Sequence, residues 1–163
     1  MEFDETRWRE IQGLASFPGT TAPKAVVIAL NSIIDKSVSA ATWSSMDTTA
    51  STTAWTCWAV TERSVGHVRI KYKKADYDER EERQQELTPS SWSVWVRPLA
   101  DIIGIRYGAF DAAEGNPTMF YPAEPIKVIF SDGAVSIPAG PIPTDQRAEV
   151  SRVITALREF VKF

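Results

Sequence analysis

A chain of 163 residues with a net charge of −3, 44% hydrophobic and 24% charged residues has the size and composition of one globular domain with its own core. This excludes a wholly disordered chain, and the acidic balance argues against a dedicated binder of nucleic acid or anionic membrane, which needs a basic excess. A single cysteine, Cys57, and a single histidine, His67, exclude an intramolecular disulfide and a four-ligand Cys/His zinc site, so neither metal nor cofactor is expected.

The N-terminal stretch MEFDETRWRE is acidic and lacks the apolar run of a signal peptide. The apolar run 25–34 is about half as long as a bilayer span. A cytoplasmic, reducing setting is therefore expected. Residues 3–15 predict a short helix, with Asp4 as N-cap and Phe3, Trp8, Ile11 and Ala15 near helical spacing. Phe17-Pro18-Gly19 ends it. Thr20 or Thr21 then caps a second helix with Pro23 in its first turn. The body of that helix carries Val26, Val27, Leu30, Ile33 and Ile34 on one side; a strand over 25–30 is the rival, because valine and isoleucine favour strands.

Residues 37–53 contain ten Ser or Thr in 17 positions, which reads as a solvated linker with room for a short strand around 41–43. Strands follow. Residues 53–61 are rich in aromatic and β-branched types. Residues 67–74 alternate strictly, with Val68, Ile70 and Tyr72 to the core and His67, Arg69, Lys71 and Lys73 to water. The polar tract 76–86 suits a hairpin tip or a short exposed helix. Residues 91–98 alternate again, placing Trp92, Val94 and Val96 in the core and Trp95 and Arg97 outside. Residues 101–110 predict another strand, and 111–118 a loop. Asp132-Gly133 between apolar runs predicts a tight hairpin. Thr144 caps a final helix with the stripe Val150, Val153, Ile154, Leu157 and Val161.

These elements define an α+β fold: a strongly bent antiparallel sheet or partly open barrel, capped by a C-terminal amphipathic helix and preceded by two short helices. The single domain divides into a helical segment (1–36), a Ser/Thr-rich linker (37–53) and the sheet with its closing helix (54–163). The run WTCWAVTERSVGHVRIKYKK as a first hairpin, RPLADIIGIRYG as a later strand, and KVIFSDGAVSIP followed by TDQRAEVSRVITALREFV resemble, in element order, the bacterial pleckstrin-homology-like superfamily. The resemblance covers about two thirds of the chain. Its eukaryotic lipid-binding members carry basic residues around the first hairpin loop, where this chain has only Arg63 beside Glu62. The two N-terminal helices also allow a cone-shaped fold like that of nuclear transport factors.

No catalytic constellation stands out. Cys57 and His67 lie on neighbouring strands, but nothing supplies a third orienting group. Asp101, Asp111 and Glu114 are acids that read as solvated. The basic strip Arg69, Lys71, Lys73 and Lys74 is a candidate anion site, although residues 62–86 hold seven basic and seven acidic residues in all. An outward Trp95 beside Arg97 has the chemistry of an interface anchor. The leading functional reading is a non-enzymatic interaction module for a protein partner or a second copy of itself. A small-molecule binder or enzyme with a cone-shaped pocket is one alternative. An anionic-lipid or nucleic-acid binder using Arg69, Lys71 and Lys73 is the other.

Overall fold

The computed structural model of the protein describes residues 4–16, 19–34, 41–84, 87–113, 115–138, 142 and 144–161. Helix α1 (Glu5–Ala15) begins as its sequence requires: the Asp4 carboxylate accepts the Arg7 N–H at 2.7 Å, and Ile11 and Ala15 face inward. Helix α2 (Lys24–Ile33) settles the rivalry at 25–34 in favour of helix, burying Val26, Val27 and Leu30. Neither Thr20 nor Thr21 caps it. Pro23 occupies the N-cap position and provides no side-chain acceptor.

Both ends of α2 are capped from elsewhere in the chain. The polar tract forms a short helix, α3 (Glu79–Arg83), and Glu82 from it accepts the Lys24 N–H at 2.8 Å. At the other end Arg7, only 7% exposed, donates to the Ile34 carbonyl at 3.0 Å and to Asn31 Oδ1 at 2.9 Å. An anion at the N-terminus and a cation at the C-terminus both complement the helix dipole.

The Ser/Thr-rich segment is not all linker: residues 41–48 form strand β1 (Ala41–Thr48). A compositional reading takes Ser and Thr as solvated, whereas Ser44 and Ser45 are buried beside Trp43 in this strand. Strands β2 (Thr53–Val60), β3 (Ser64–Tyr72) and β4 (Ser91–Pro98) continue it as an antiparallel meander in the order β1-β2-β3-β4. A second sheet has the order β5-β8-β9, from β5 (Ile102–Arg106), β8 (Ile126–Phe130) and β9 (Gly133–Ile137). Part of the expected loop after residue 110 is instead a separate hairpin of β6 (Phe110–Ala113) and β7 (Asn116–Pro122). The β8–β9 hairpin turns at Ser131-Asp132, and Gly133 takes φ 150°, a conformation open in practice to glycine alone. Helix α4 (Arg147–Phe160) follows a 3-10 turn, Thr144–Gln146, so Thr144 lies ahead of the helix and does not cap it.

The four-stranded sheet is covered on both faces. On one, α1 and α2 pack Ile11, Val26, Val27 and Leu30 over Trp55, Cys57, Val68, Ile70 and Tyr72. On the other, α4 and the second sheet pack Val153, Leu157, Ile126 and Val128 over Trp43, Trp58, Val60 and Val65. Every residue of β2 is therefore buried. The packing against α2 is close: a methyl group on Gly66 would sit 2.6 Å from Ile33 Cδ1. The sheets remain separate and do not close into a barrel. Among the described residues no helix is long and apolar enough to cross a membrane.

Candidate functional site

Backbone hydrogen bonds set the phase of each strand. Leu99 N–H donates to the Arg63 carbonyl at 2.8 Å. That bond continues the β3–β4 register, in which Val65 faces Arg97, His67 faces Trp95 and Arg69 faces Ser93. In an antiparallel ladder the hydrogen-bonded pairs alternate. The amides of residues 91, 93, 95 and 97 therefore point at β3, and those of Trp92, Val94 and Val96 point out of the sheet. No described residue pairs with that outer edge. Pro98 shares the outward phase, where a missing N–H costs nothing.

The side chains of these outward residues are exposed as well: Trp92 by 52%, Val94 by 39% and Val96 by 49%. This reverses the expected orientation, which put Trp92 in the core and Trp95 outside. Trp92 and Trp95 do lie on opposite faces, but both faces of the sheet carry a core, and the apolar spacing of β4 does not say which cover reaches it. The face of Trp92, Val94 and Val96 continues that of Ile70, Val68 and Gly66, but α1 and α2 leave it uncovered at β4.

Trp95 points instead into the other layer. A row of rings, Trp43, Trp58, His67 and Trp95, crosses all four strands in register. Trp95 meets Trp58 edge-on at 5.5 Å and lies 5.6 Å from His67. Arg97 is 5.9 Å from the Trp95 ring, lies over Phe130 at 4.6 Å and pairs with Asp132 at 2.5 Å. Trp95 and Arg97 thus tie β4 to the second sheet.

The basic strip does not form one continuous wet face. Arg69 is half-buried with its Nε enclosed and unpartnered, Lys74 pairs with Glu81, and Lys71 and Lys73 remain exposed. His67, expected on a wet face, is 9% exposed, and burial pushes its pKa from 6.5 down to about 4, with Arg69 adding to the effect. Cys57 is fully buried and its thiol is pushed up to about 12 by desolvation. The register Cys57↔Val68 and Trp58↔His67 sends the thiol and the imidazole to opposite faces, so they cannot act as a dyad. Asp111 forms an ion pair with Arg147 at 2.7 Å; Asp101 is exposed, and Glu114 lies outside the described residues. Among the described residues no group of His, Cys, Asp and Glu is arranged to hold a metal.

Alternation alone does not reveal that Trp92, Val94 and Val96 have both their amides and their side chains open to the outer edge of β4. The signal present was the run SWSVWV, six residues without a charge in a strand that ends in proline. Comparison with family models, curated proteins and solved structures gives no match.

Proposed function

We propose that the protein is a non-enzymatic interaction module that docks by adding a strand to β4, with a second copy of the chain as the occupant. One observation carries this reading: the outer edge of β4 combines an open hydrogen-bonding ladder with three exposed apolar side chains and no charge between Ser91 and Val96. Folded proteins blunt exposed edges with charge, bulges or covering elements. Among the described residues only Pro98, at the end, does so. Antiparallel pairing about Val94 brings Trp92 of one copy opposite Val96 of the other and Val94 opposite Val94. Three outward pairs then supply about six backbone hydrogen bonds, and Pro98 ends the ladder. A symmetric dimer of this kind uses the same patch twice.

The antiparallel strands, the tight β8–β9 hairpin and the closing α4 follow the order that the pleckstrin-homology-like resemblance implies. That order supports a domain of this type, with α1, α2 and the β6–β7 hairpin as additions. A buried, unpaired Cys57 is compatible with a cytoplasmic setting.

Sedimentation over a wide range of protein concentration tests the docking reading. The expected result is a dimer that Val94→Lys converts to a monomer of unchanged stability. A wild-type chain that remains monomeric at the highest concentration would overturn self-association through β4.

A further inference from the structure

The opposite edge of the same sheet is built differently. Thr49 N–H donates to the Thr52 carbonyl at 2.8 Å, continuing the β1–β2 register. The phase that follows directs the amides of Thr42, Ser44 and Met46 away from β2. No described residue takes up these groups. Unlike the edge of β4, this edge lies at the bottom of a cleft of about 780 Å3. One wall is the C-terminal end of α1, with Gly13, Leu14 and Ser16; the other is the start of α4, with Gln146, Glu149 and Arg152. The volume is in the range of ligand-binding clefts.

The lining holds unused hydrogen-bonding groups of both kinds. Trp43 is 6% exposed, and its indole N–H is buried without an acceptor. Gln146 Oε1 and Glu149 Oε2 are buried without donors, although the other carboxylate oxygen of Glu149 lies 3.6 Å from Arg152. Leaving such groups unmatched is costly, so a ligand that supplies both a donor and an acceptor is favoured. Of the residues lining the α4 wall, Asp145 and Glu149 outweigh Arg152 by one negative charge, while the neighbouring Arg147 is paired with Asp111.

We infer that this cleft binds an extended, basic peptide segment, which adds a fifth strand to the edge of β1 between α1 and α4. An added strand meets the outward amides of Thr42 and Ser44 with its own alternating N–H and C=O groups. Its side chains then point alternately to the two walls. One set meets Gly13 and Leu14, which suits small apolar residues. The other meets Gln146 and Glu149, which suits lysine or arginine. This site is independent of self-association through β4, because the two edges lie on opposite sides of the sheet.

The probe is a fluorescent, terminally blocked peptide alternating lysine and valine, compared with the same peptide alternating glutamate and valine. The lysine peptide is expected to bind saturably and at least tenfold more tightly than the glutamate peptide. Glu149→Lys should abolish that preference. Thr42→Pro, which removes an outward N–H but no bond of the β1–β2 ladder, should weaken binding tenfold or more. Amide exchange of the wild-type protein keeps the inference testable should either variant fold poorly: the bound peptide should slow exchange at Thr42 and Ser44. Equal binding of the two peptides, protection at Trp92, Val94 and Val96 in place of Thr42 and Ser44, or no saturable binding would each overturn it.

Discussion

Replacing Glu82 by alanine tests the long-range capping of α2. The carboxylate is reached by four donors: Lys24 N–H at 2.8 Å and Tyr77 O–H at 2.6 Å on one oxygen, Tyr72 O–H at 2.9 Å and Ala25 N–H at 3.4 Å on the other. Loss of a helix N-cap acceptor costs about 1 kcal/mol. Tyr72 is fully buried, so its hydroxyl cannot turn to solvent, and an orphaned buried donor adds about 1–3 kcal/mol. Tyr77 is only half-buried and recovers a water. The total is a destabilisation of about 2–4 kcal/mol. Urea unfolding followed by tryptophan fluorescence measures it, with an unchanged m-value showing that the native state stays compact. Because the tyrosine and the glutamate share one interaction, Tyr72→Phe should cost markedly less in the Glu82→Ala background than in the wild type. A loss below about half a kilocalorie, or strict additivity of the two substitutions, would show that α2 does not depend on this cap.

The same cluster predicts alkaline sensitivity. Burial, and then Glu82, raises the pKa of Tyr72 and Tyr77 above the ordinary 10.0. A folded-state pKa above the unfolded one gives stability that is complete below pH 10 and lost as pH rises further; a flat stability profile above pH 10 would contradict it. His67 has the opposite sign. Its depressed pKa gives stability that is present above pH 6.5 and lost as pH falls through about 4, by about 3 kcal/mol at most. His67→Phe should flatten that part of the acid limb relative to the wild type. Trp95→Ala should destabilise the fold by about 2–4 kcal/mol, because it removes a ring packed on Trp58 and His67, whereas Trp92→Ala should leave urea stability nearly unchanged and weaken self-association by over about 1 kcal/mol. Leu157→Ala, at a fully buried position of α4, should cost about 2–5 kcal/mol in the same urea assay.

Local patterns were enough to locate many elements. The 3.6-residue stripe of α4 and the cap at Asp4 describe interactions between residues close in the chain, and so does the period-two alternation of β3 and β4. The sequence alone thus determined an α+β domain of antiparallel strands with a closing helix. The strand β1 was partly hidden, because hydroxyl side chains make a buried edge strand look like a linker by composition. The trans-capping of α2 was not legible at all: Glu82 is one of four glutamates between residues 79 and 86, and only the folded chain brings it against Lys24.

Tertiary structure decided which face of each strand is wet. Alternation separates a strand into two faces, but it assigns one to water only when a single layer covers the sheet. In this protein two layers do so. His67 is buried and Arg69 half-buried on the side that sequence assigns to solvent, while Trp92, Val94 and Val96 emerge where the helices run out. The phase of the edge ladders depends likewise on the pairing register, a property of two strands together. Which amides of β1 and β4 are free to bind is therefore fixed by the assembled sheet, since no single strand contains that information.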